Sequence, residues 1–402
     1  MKLFLDVTSS CTSVQNTGMQ RMTRRIFAEL SRRAAVTPIC WNKIGRFYQR
    51  LGSTEHKLLT RPFDVRSRPT TRPERRGQNP IAELRRFVLL PRFDFINLLS
   101  EEDVFISPDT HHDSRRKYLP SLIGRTRVRS VAIFHDAARV RLASVYRSRG
   151  RHQREYIASL AAFDLVICVS LEAQEDLRDL WNQFGCKAAP TSVEPWPAEL
   201  ERAASGPASG ARSNRVIYVS SLDPRKNHLT LFSAAEKLWA EGLDFELHLI
   251  GRATNIGGRE VPSAVRKFRR AGRPIEWLRH VDDKTLLREY DDCRFTVYPS
   301  LMEGYGLPIV ESLVHGKPCI CGANGALGEV ARGGGCLIVD QTSAAALAEG
   351  IKMLLIDQQL YSRLSNEARA RKFRSWSDYI DKFLTHLELT RAADVARVPI
   401  SH

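Results

Sequence analysis

The sequence predicts an α/β chain of two doubly wound units, and three observations carry that reading. Short apolar runs alternate with amphipathic helical stretches along most of the 402 residues, the pattern of parallel sheets covered by helices on both faces. The alternation halts once, between Ala188 and Asn214, in a stretch rich in Pro, Ala, Ser and Gly, and then restarts. At roughly 150 residues per domain, the length allows two or three domains. With 43% of residues hydrophobic and 26% charged, each unit can bury a core, which excludes a disulfide-stapled scaffold, a largely disordered chain and a collagen-like one.

In chain order, Lys2 to Val7 reads as a strand closed by a polar Thr-Ser-Ser loop, and Met19 to Leu30 as a helix with apolar residues at Met19, Met22, Ile26 and Leu30. Further strands are expected at Asp103 to Ile106, Val128 to Phe134 and Leu165 to Val169, with helices at Arg151 to Ala162 and Leu171 to Leu180. After the break come strands at Val216 to Ser220, Phe245 to Ile250, Ile275 to Val281, Phe295 to Tyr298, Lys317 to Cys321 and Leu337 to Val339. Helices fall at Leu229 to Glu241, Thr285 to Asp291, Pro308 to His315 and Ala344 to Leu355. The division is therefore a first domain over 1–200, a second over 212–375, and a last amphipathic stretch over 376–402 that closes back on the first. Open parallel sheets bind ligands at the carboxyl ends of their strands, so the cleft between two facing units is the expected site.

The net charge of +16 is unevenly spread: residues 1–154 hold 31 Lys+Arg against 13 Asp+Glu, and the remainder 30 against 32. The first half is a cation suited to an anionic surface, nucleic acid or acidic lipid. Arg61 to Arg92 concentrates it, crowding arginine and proline around few apolar residues before running into Phe87-Val88-Leu89-Leu90. That composition fits an insertion docking on an anionic membrane, an RNA-contacting arm, or an exposed loop followed by a core helix. No stretch reaches the roughly 18 uncharged apolar residues of a membrane span, and Asp6 interrupts the start too early for a signal peptide. The eight cysteines form no CxxC, so reduced thiols in a cytosol are expected and neither a zinc site nor a disulfide framework.

The most specific segment is Pro299-Ser300-Leu301-Met302-Glu303-Gly304-Tyr305-Gly306-Leu307-Pro308-Ile309-Val310-Glu311. It joins a strand end, two glycines that admit close backbone approach, Pro308 at a helix start, and two carboxylates that can accept hydroxyl hydrogen bonds from a sugar and a ribose. Free N–H groups at that helix start favour an anion such as a diphosphate. Asp223-Pro224-Arg225-Lys226-Asn227 places two cations after a strand, where they can neutralise phosphate. Ile133-Phe134-His135-Asp136 puts an imidazole at a strand end, and Asn16-Thr17-Gly18 a turn near the first strand. No Asp-x-Asp or HxxxH occurs, so protein cations and helix dipoles must carry any diphosphate charge. GxxxxGK[ST] and GxSxG are absent as well.

Together these motifs resemble family 4 of the nucleotide-sugar glycosyltransferases, which have the two-Rossmann-domain fold called GT-B. The resemblance is strongest from Val216 to Asp340, through Asp223 to Asn227, the Glu-x7-Glu segment, His315-Gly316-Lys317-Pro318 and Gly328-Glu329-Val330, and thinner at Thr17 to Arg21 and Phe134 to Asp136. It implies that Glu311 binds the ribose hydroxyls, that Glu303 and His135 lie near the donor hexose, and that Arg225, Lys226, Gly18 and the backbone of Gly304, Tyr305, Gly306 and Leu307 hold the diphosphate. It implies a donor-binding second domain, an acceptor-binding first one, and metal-independent transfer with retention of anomeric configuration. Where many members carry an arginine ahead of the Arg-Lys pair, this chain has Ser221, which throws more of the diphosphate binding onto Arg225 and Lys226. With Thr17-Gly18-Met19-Gln20-Arg21 at the start and Glu311-Ser312-Leu313-Val314-His315-Gly316-Lys317-Pro318 later, the pattern resembles that of bacterial enzymes that build lipopolysaccharide or capsule chains, many of them mannosyltransferases. The expectation is a cytoplasmic hexosyltransferase, peripheral on the inner face of the plasma membrane, using GDP-mannose and a lipid-linked or polysaccharide acceptor, with no cofactor and no nucleic-acid partner. The alternatives are a noncatalytic nucleic-acid-binding protein and a GT-B epimerase or soluble sugar synthase.

Overall fold

The computed structural model of the chain describes residues 1–13, 17–61, 80–146, 150–198, 214–254, 260–279 and 281–395. It divides into two units. The first comprises Met1–Val140, Arg149–Pro195 and Ser375–His402, and the second Arg141–Ser148 and Trp196–Arg374. The division at Pro195 falls within the stretch where the alternation halts; residues 199–213 lie outside the described residues, as do 62–79 of the basic insertion and Asn16.

The first unit is built on seven strands: β1 (Leu3–Asp6), β2 (Val36–Asn42), β3 (Phe47–Arg50), β4 (Val104–Ser107), β5 (Arg129–Phe134), β6 (Leu165–Cys168) and β7 (Thr191–Val193). Their order is β3-β2-β1-β4-β5-β6-β7, and every pairing is parallel except β2 with β3. All residues of β1, β4, β5 and β6 are buried, which is why they read as continuous apolar runs rather than alternating ones. The polar stretch after β1 is not a plain loop as expected: Thr8–Cys11 forms a helical turn. Thr17 opens the Gly18–Ser31 helix with a capping box, its backbone N–H donating to Gln20 Oε1 at 3.1 Å. The Thr-Gly-Met-Gln motif is thus also a helix-start signal.

The last helix, Trp376–Val395, belongs to the first unit. Tyr379, Ile380, Phe383 and Leu387 form its buried stripe, each worth about 1.5–3 kcal/mol over exposure. Polar contacts fix its position: Arg129 Nη1 donates to the Leu387 carbonyl at 2.8 Å, and His386 meets the fully buried Glu194 at 3.1 Å.

The second unit has six strands, β8 (Arg215–Val219), β9 (Glu246–Ile250), β10 (Ile275–Arg279), β11 (Phe295–Tyr298), β12 (Cys319–Cys321) and β13 (Cys336–Ile338). They are all parallel, in the order β10-β9-β8-β11-β12-β13. Alternation along β8 sends Val216 and Tyr218 into the core beneath the His228–Ala240 helix, and Ile217 to the other face against Tyr290 of the Asp283–Asp292 helix and Cys293 just after it. Strand order reverses between β8 and β11, so the loops after these two strands diverge and leave a crevice at their carboxyl ends.

Candidate donor site

Both loops at that crevice carry the residues singled out in the sequence. After β8 the chain makes a single 3₁₀ turn, Pro224–Lys226, capped by Asp223, whose Oδ1 accepts from the Arg225 N–H at 3.2 Å. The Tyr146 hydroxyl also donates to Asp223 Oδ1, at 2.9 Å. Asn227 then adopts φ +57° and ties its side-chain amide to the Gln341 carbonyl at 2.7 Å. After β11 the chain runs back beside this turn, with the Leu301 N–H donating to the Arg225 carbonyl at 2.8 Å.

The result is a compact ionic cluster. Arg225 Nη1 donates to Glu303 Oε2 at 2.8 Å and to the Met302 carbonyl at 2.7 Å. Lys226 Nζ bonds Glu303 Oε1 and donates to the Tyr298 hydroxyl at 2.7 Å. Tyr298 and Ser300 both donate to the same Glu303 oxygen. Burial pushes the Glu303 carboxyl upward, but the charges of Arg225 and Lys226 outweigh it and hold the group at about 2. Glu303 is therefore an ionised acceptor at neutral pH and has no proton to give. Burial lowers Lys226, with Glu303 opposing. With two cations and one carboxylate, the cluster keeps one net positive charge.

Gly306 begins the Leu307–Val314 helix at φ +108°, in the left-handed region where a side chain is strained. Pro308 sits at the second helical position rather than the first, since the helix starts at Leu307. Tyr305 packs against the core of this unit, and Gly304 lies within the same turn.

Glu303 and Glu311 have separate partners. Glu311 Oε2 accepts from the Tyr290 hydroxyl at 2.9 Å, and the Tyr290 ring stacks on His315 with centroids 5.0 Å apart. Lys317 donates to the carbonyls of Asp291 and Cys293 at 2.7 and 2.8 Å, anchoring the end of the helix that carries Tyr290. The His-Gly-Lys-Pro motif thus braces Glu311. Tyr298 and Tyr290 escaped the sequence reading. Tyr298 stands one residue ahead of the quoted segment, whereas Tyr290 reaches Glu311 from a different helix with no local signal.

Gly18 and His135 lie in the first unit. A Cβ on Gly18 would meet nothing within 4 Å, so room rather than backbone geometry is what that glycine leaves. His135 is half-buried, with Nε2 2.6 Å from the Pro108 carbonyl, and burial lowers its pKa. Nearby, where β1 and β4 end, lies a network the sequence did not reveal. Asp6 accepts from Tyr48 at 2.9 Å and from Arg115 at 2.7 Å, and Asp109 accepts from the Ser9 N–H at 3.2 Å. Burial drives Asp109 up to about 6, against the pull of Arg115.

Residues 202–371 match the family model described as glycosyl transferases group 1. The match falls within the second unit and covers less than half of the chain. Among curated proteins, the serotype-specific mannosyltransferase WbdA of Escherichia coli is 30% identical over 176 residues, 39% of this chain and 21% of WbdA. The O-antigen chain mannosyltransferase B of E. coli is 31% identical over 167 residues, 40% of this chain and 42% of that protein. The matched part therefore spans only about a fifth of WbdA. Of solved structures, Anabaena HepE in complex with UDP and glucose gives a TM-score of 0.66 at 18% identity, covering 96% of this chain and all of HepE. Sucrose-phosphate synthase of Thermosynechococcus elongatus gives 0.68 at 17%, covering 98% and 99%. At such identities these likenesses establish the fold, two Rossmann-like domains of the GT-B class. In the second unit, the crevice between β8 and β11 is where the motifs of the family resemblance converge.

Proposed function

We propose that the protein transfers a hexose, with GDP-mannose as donor, to a lipid-linked or polysaccharide acceptor in cell-surface glycan synthesis, retaining anomeric configuration and using no metal. The observation that carries the reading is the Arg225–Lys226–Glu303 cluster at the strand-order switch of the unit that holds the group 1 glycosyl transferase match. As the bond from the sugar C1 to the diphosphate breaks, the acceptor oxygen bonds to C1 and the acceptor's proton departs with the diphosphate. Negative charge grows on the leaving diphosphate, where Arg225, Lys226 and the N–H groups after Gly306 can stabilise it. Glu303, ionised and locked between the cations, serves as their clamp and as an acceptor for donor hydroxyls. Glu311 takes the ribose hydroxyls. Mannose as the sugar is supported by what WbdA and the O-antigen chain mannosyltransferase B are named for.

Thermal unfolding with GDP, UDP and dTDP tests the donor site. A ligand that binds only the folded state at a hundred times its Kd adds about 2.7 kcal/mol, so GDP is expected to raise the melting temperature well above the other two, and GDP-mannose further. No shift with any nucleotide, in folded protein, would sink the reading.

The place of action in this proposal is a cytoplasmic membrane surface. The Pro80–Leu89 helix supports it, because its amphipathicity is inverted: Glu83 and Arg86 pair at 2.7 Å on the inward side, while Ile81, Leu84, Phe87, Val88 and Leu89 are exposed. Ile81 is 76% exposed and Val88 69%, beside a strongly basic stretch of sequence. No helix among the described residues is long and apolar enough to cross a membrane. Co-sedimentation with phosphatidylserine vesicles should fall several-fold in Val88→Ser/Leu89→Ser; equal sedimentation of variant and wild type would remove this helix from the proposal.

A further inference from the structure

The first unit holds a second cationic site that none of the donor chemistry uses. Arg46, His112, Asp113, Ser114, Arg116, Lys117 and Tyr118 line a cavity of about 310 Å³. Arg46 reaches it from the turn joining β2 to β3, held by the Tyr118 hydroxyl at 2.5 Å and lying over the Tyr118 ring. Arg116 and Lys117 come from the first turn of the Arg115–Gly124 helix, which contains no acidic residue there. Cations at that end of a helix oppose its dipole, so the placement is unfavourable for folding.

The charges do not cancel internally. Arg115 is shared between Asp113, at 2.9 Å, and Asp6, at 2.7 Å, and Glu155 between Arg116, at 2.7 Å, and Arg151, at 3.4 Å. Lys117 comes no nearer to Glu155 than 4.0 Å and is 57% exposed. Five cations, Arg46, Arg115, Arg116, Lys117 and Arg151, thus meet three carboxylates, Asp6, Asp113 and Glu155, and the group keeps two net positive charges, with Arg46 and Lys117 lining the cavity. The same turn leads to the apolar face. Ile44 is 48% exposed, and the Phe47 ring lies tilted against Phe87 of the inverted helix, with centroids 5.9 Å apart.

We propose that this cavity binds the phosphate or pyrophosphate group of a lipid-linked acceptor, with Arg46 and Lys117 as its principal ligands and the adjoining apolar helix facing the lipid. Two net charges match a pyrophosphate bridging lipid and sugar, and the planar Arg46 fork can hold two of its oxygens at once. The proposal deepens the reading of a lipid-linked acceptor and rests on it, but its test is a binding measurement independent of any donor or turnover.

Inorganic pyrophosphate is titrated calorimetrically into the full chain and into Arg46→Asn/Lys117→Ser, asparagine being chosen because Arg46 has φ +56°. The number of pyrophosphate sites is expected to fall by one in the double variant, with the unliganded protein still folded and melting in a single transition. A control pair, Arg125→Ser/Arg127→Ser, removes the same charge from exposed surface and should leave the isotherm as it was. In a second arm, phosphatidylcholine vesicles doped with a polyprenyl pyrophosphate should recruit the wild type at least tenfold better than the double variant. An unchanged site count in the double variant, or an equal loss in the control pair, overturns the site. Loss of dissolved pyrophosphate with undiminished vesicle recruitment overturns the lipid-linked source in favour of a dissolved phosphate ester. Failure of every nucleotide to bind would touch the donor reading and leave these outcomes as they are.

Discussion

Glu303→Ala is expected to unfold at a markedly lower temperature than the wild type, with a loss of about 3–5 kcal/mol. The carboxylate is 8% exposed and carries hydrogen bonds from Arg225, Lys226, Tyr298 and Ser300. Its removal strands Lys226, itself 7% exposed, as a buried cation. The size agrees with the titration: a carboxyl moved from 4.5 to about 2 corresponds to roughly 3 kcal/mol. Since the folded-state value lies below the unfolded one, this stabilisation is fully present above about pH 4.5 and drains away as the pH falls toward 2. The gap in unfolding free energy between wild type and Glu303→Gln should therefore narrow over that acid window. A Glu303→Ala protein as stable as the wild type would show that the cluster does not hold the two loops together.

Glu311→Ala is expected to lose nucleotide affinity and transfer together, by a factor of 100 or more. Two hydroxyl hydrogen bonds to a carboxylate are each worth about 1.5–3 kcal/mol, and each 1.4 kcal/mol is tenfold in affinity. The alanine also leaves the buried Tyr290 hydroxyl without its carboxylate partner, so some stability goes with it. Glu311→Gln separates the two effects. Its amide oxygen can still accept from Tyr290, so the melting temperature should stay near that of the wild type while nucleotide binding remains weak. Full nucleotide affinity in both variants would refute the ribose assignment.

Much of this architecture was legible in the sequence, for a physical reason. Strands buried on both faces must be apolar throughout, and the runs at β1, β4, β5, β8 and β11 announce themselves. The Arg-Lys turn and the glycine segment were equally visible because their residues are neighbours in sequence. What the sequence did not display are elements whose partners are remote. β2 carries Pro38 and ends in Asn42, and β3 spans four residues including Gln49 and Arg50, so neither has an apolar signature of its own. Their antiparallel pairing at the sheet edge supplies it. Tyr290 becomes a partner of Glu311 only once two helices flank the same sheet. The Asp6–Tyr48–Arg115 network joins residues separated by as many as 109 positions, a distance at which no spacing rule operates. The Pro80–Leu89 helix is the reverse case, where composition was plain but orientation was not. A hydrophobic run after arginines reads equally as core or as surface, and only the inward-facing Glu83–Arg86 pair decides which side is which.

The way the chain is threaded has a consequence for how such proteins can be recombined. It passes between the two units four times, because residues 141–146 leave the first unit to join the second and the last helix returns to the first. Tyr146, from that short excursion, holds the aspartate that caps the Arg225–Lys226 turn. The second unit is thus not a self-contained cassette. A chimera made by grafting residues 196–374 onto a foreign partner would arrive without the tyrosine that buttresses its own Arg225–Lys226 turn, so the shape of that turn is tied to a residue encoded in the opposite half.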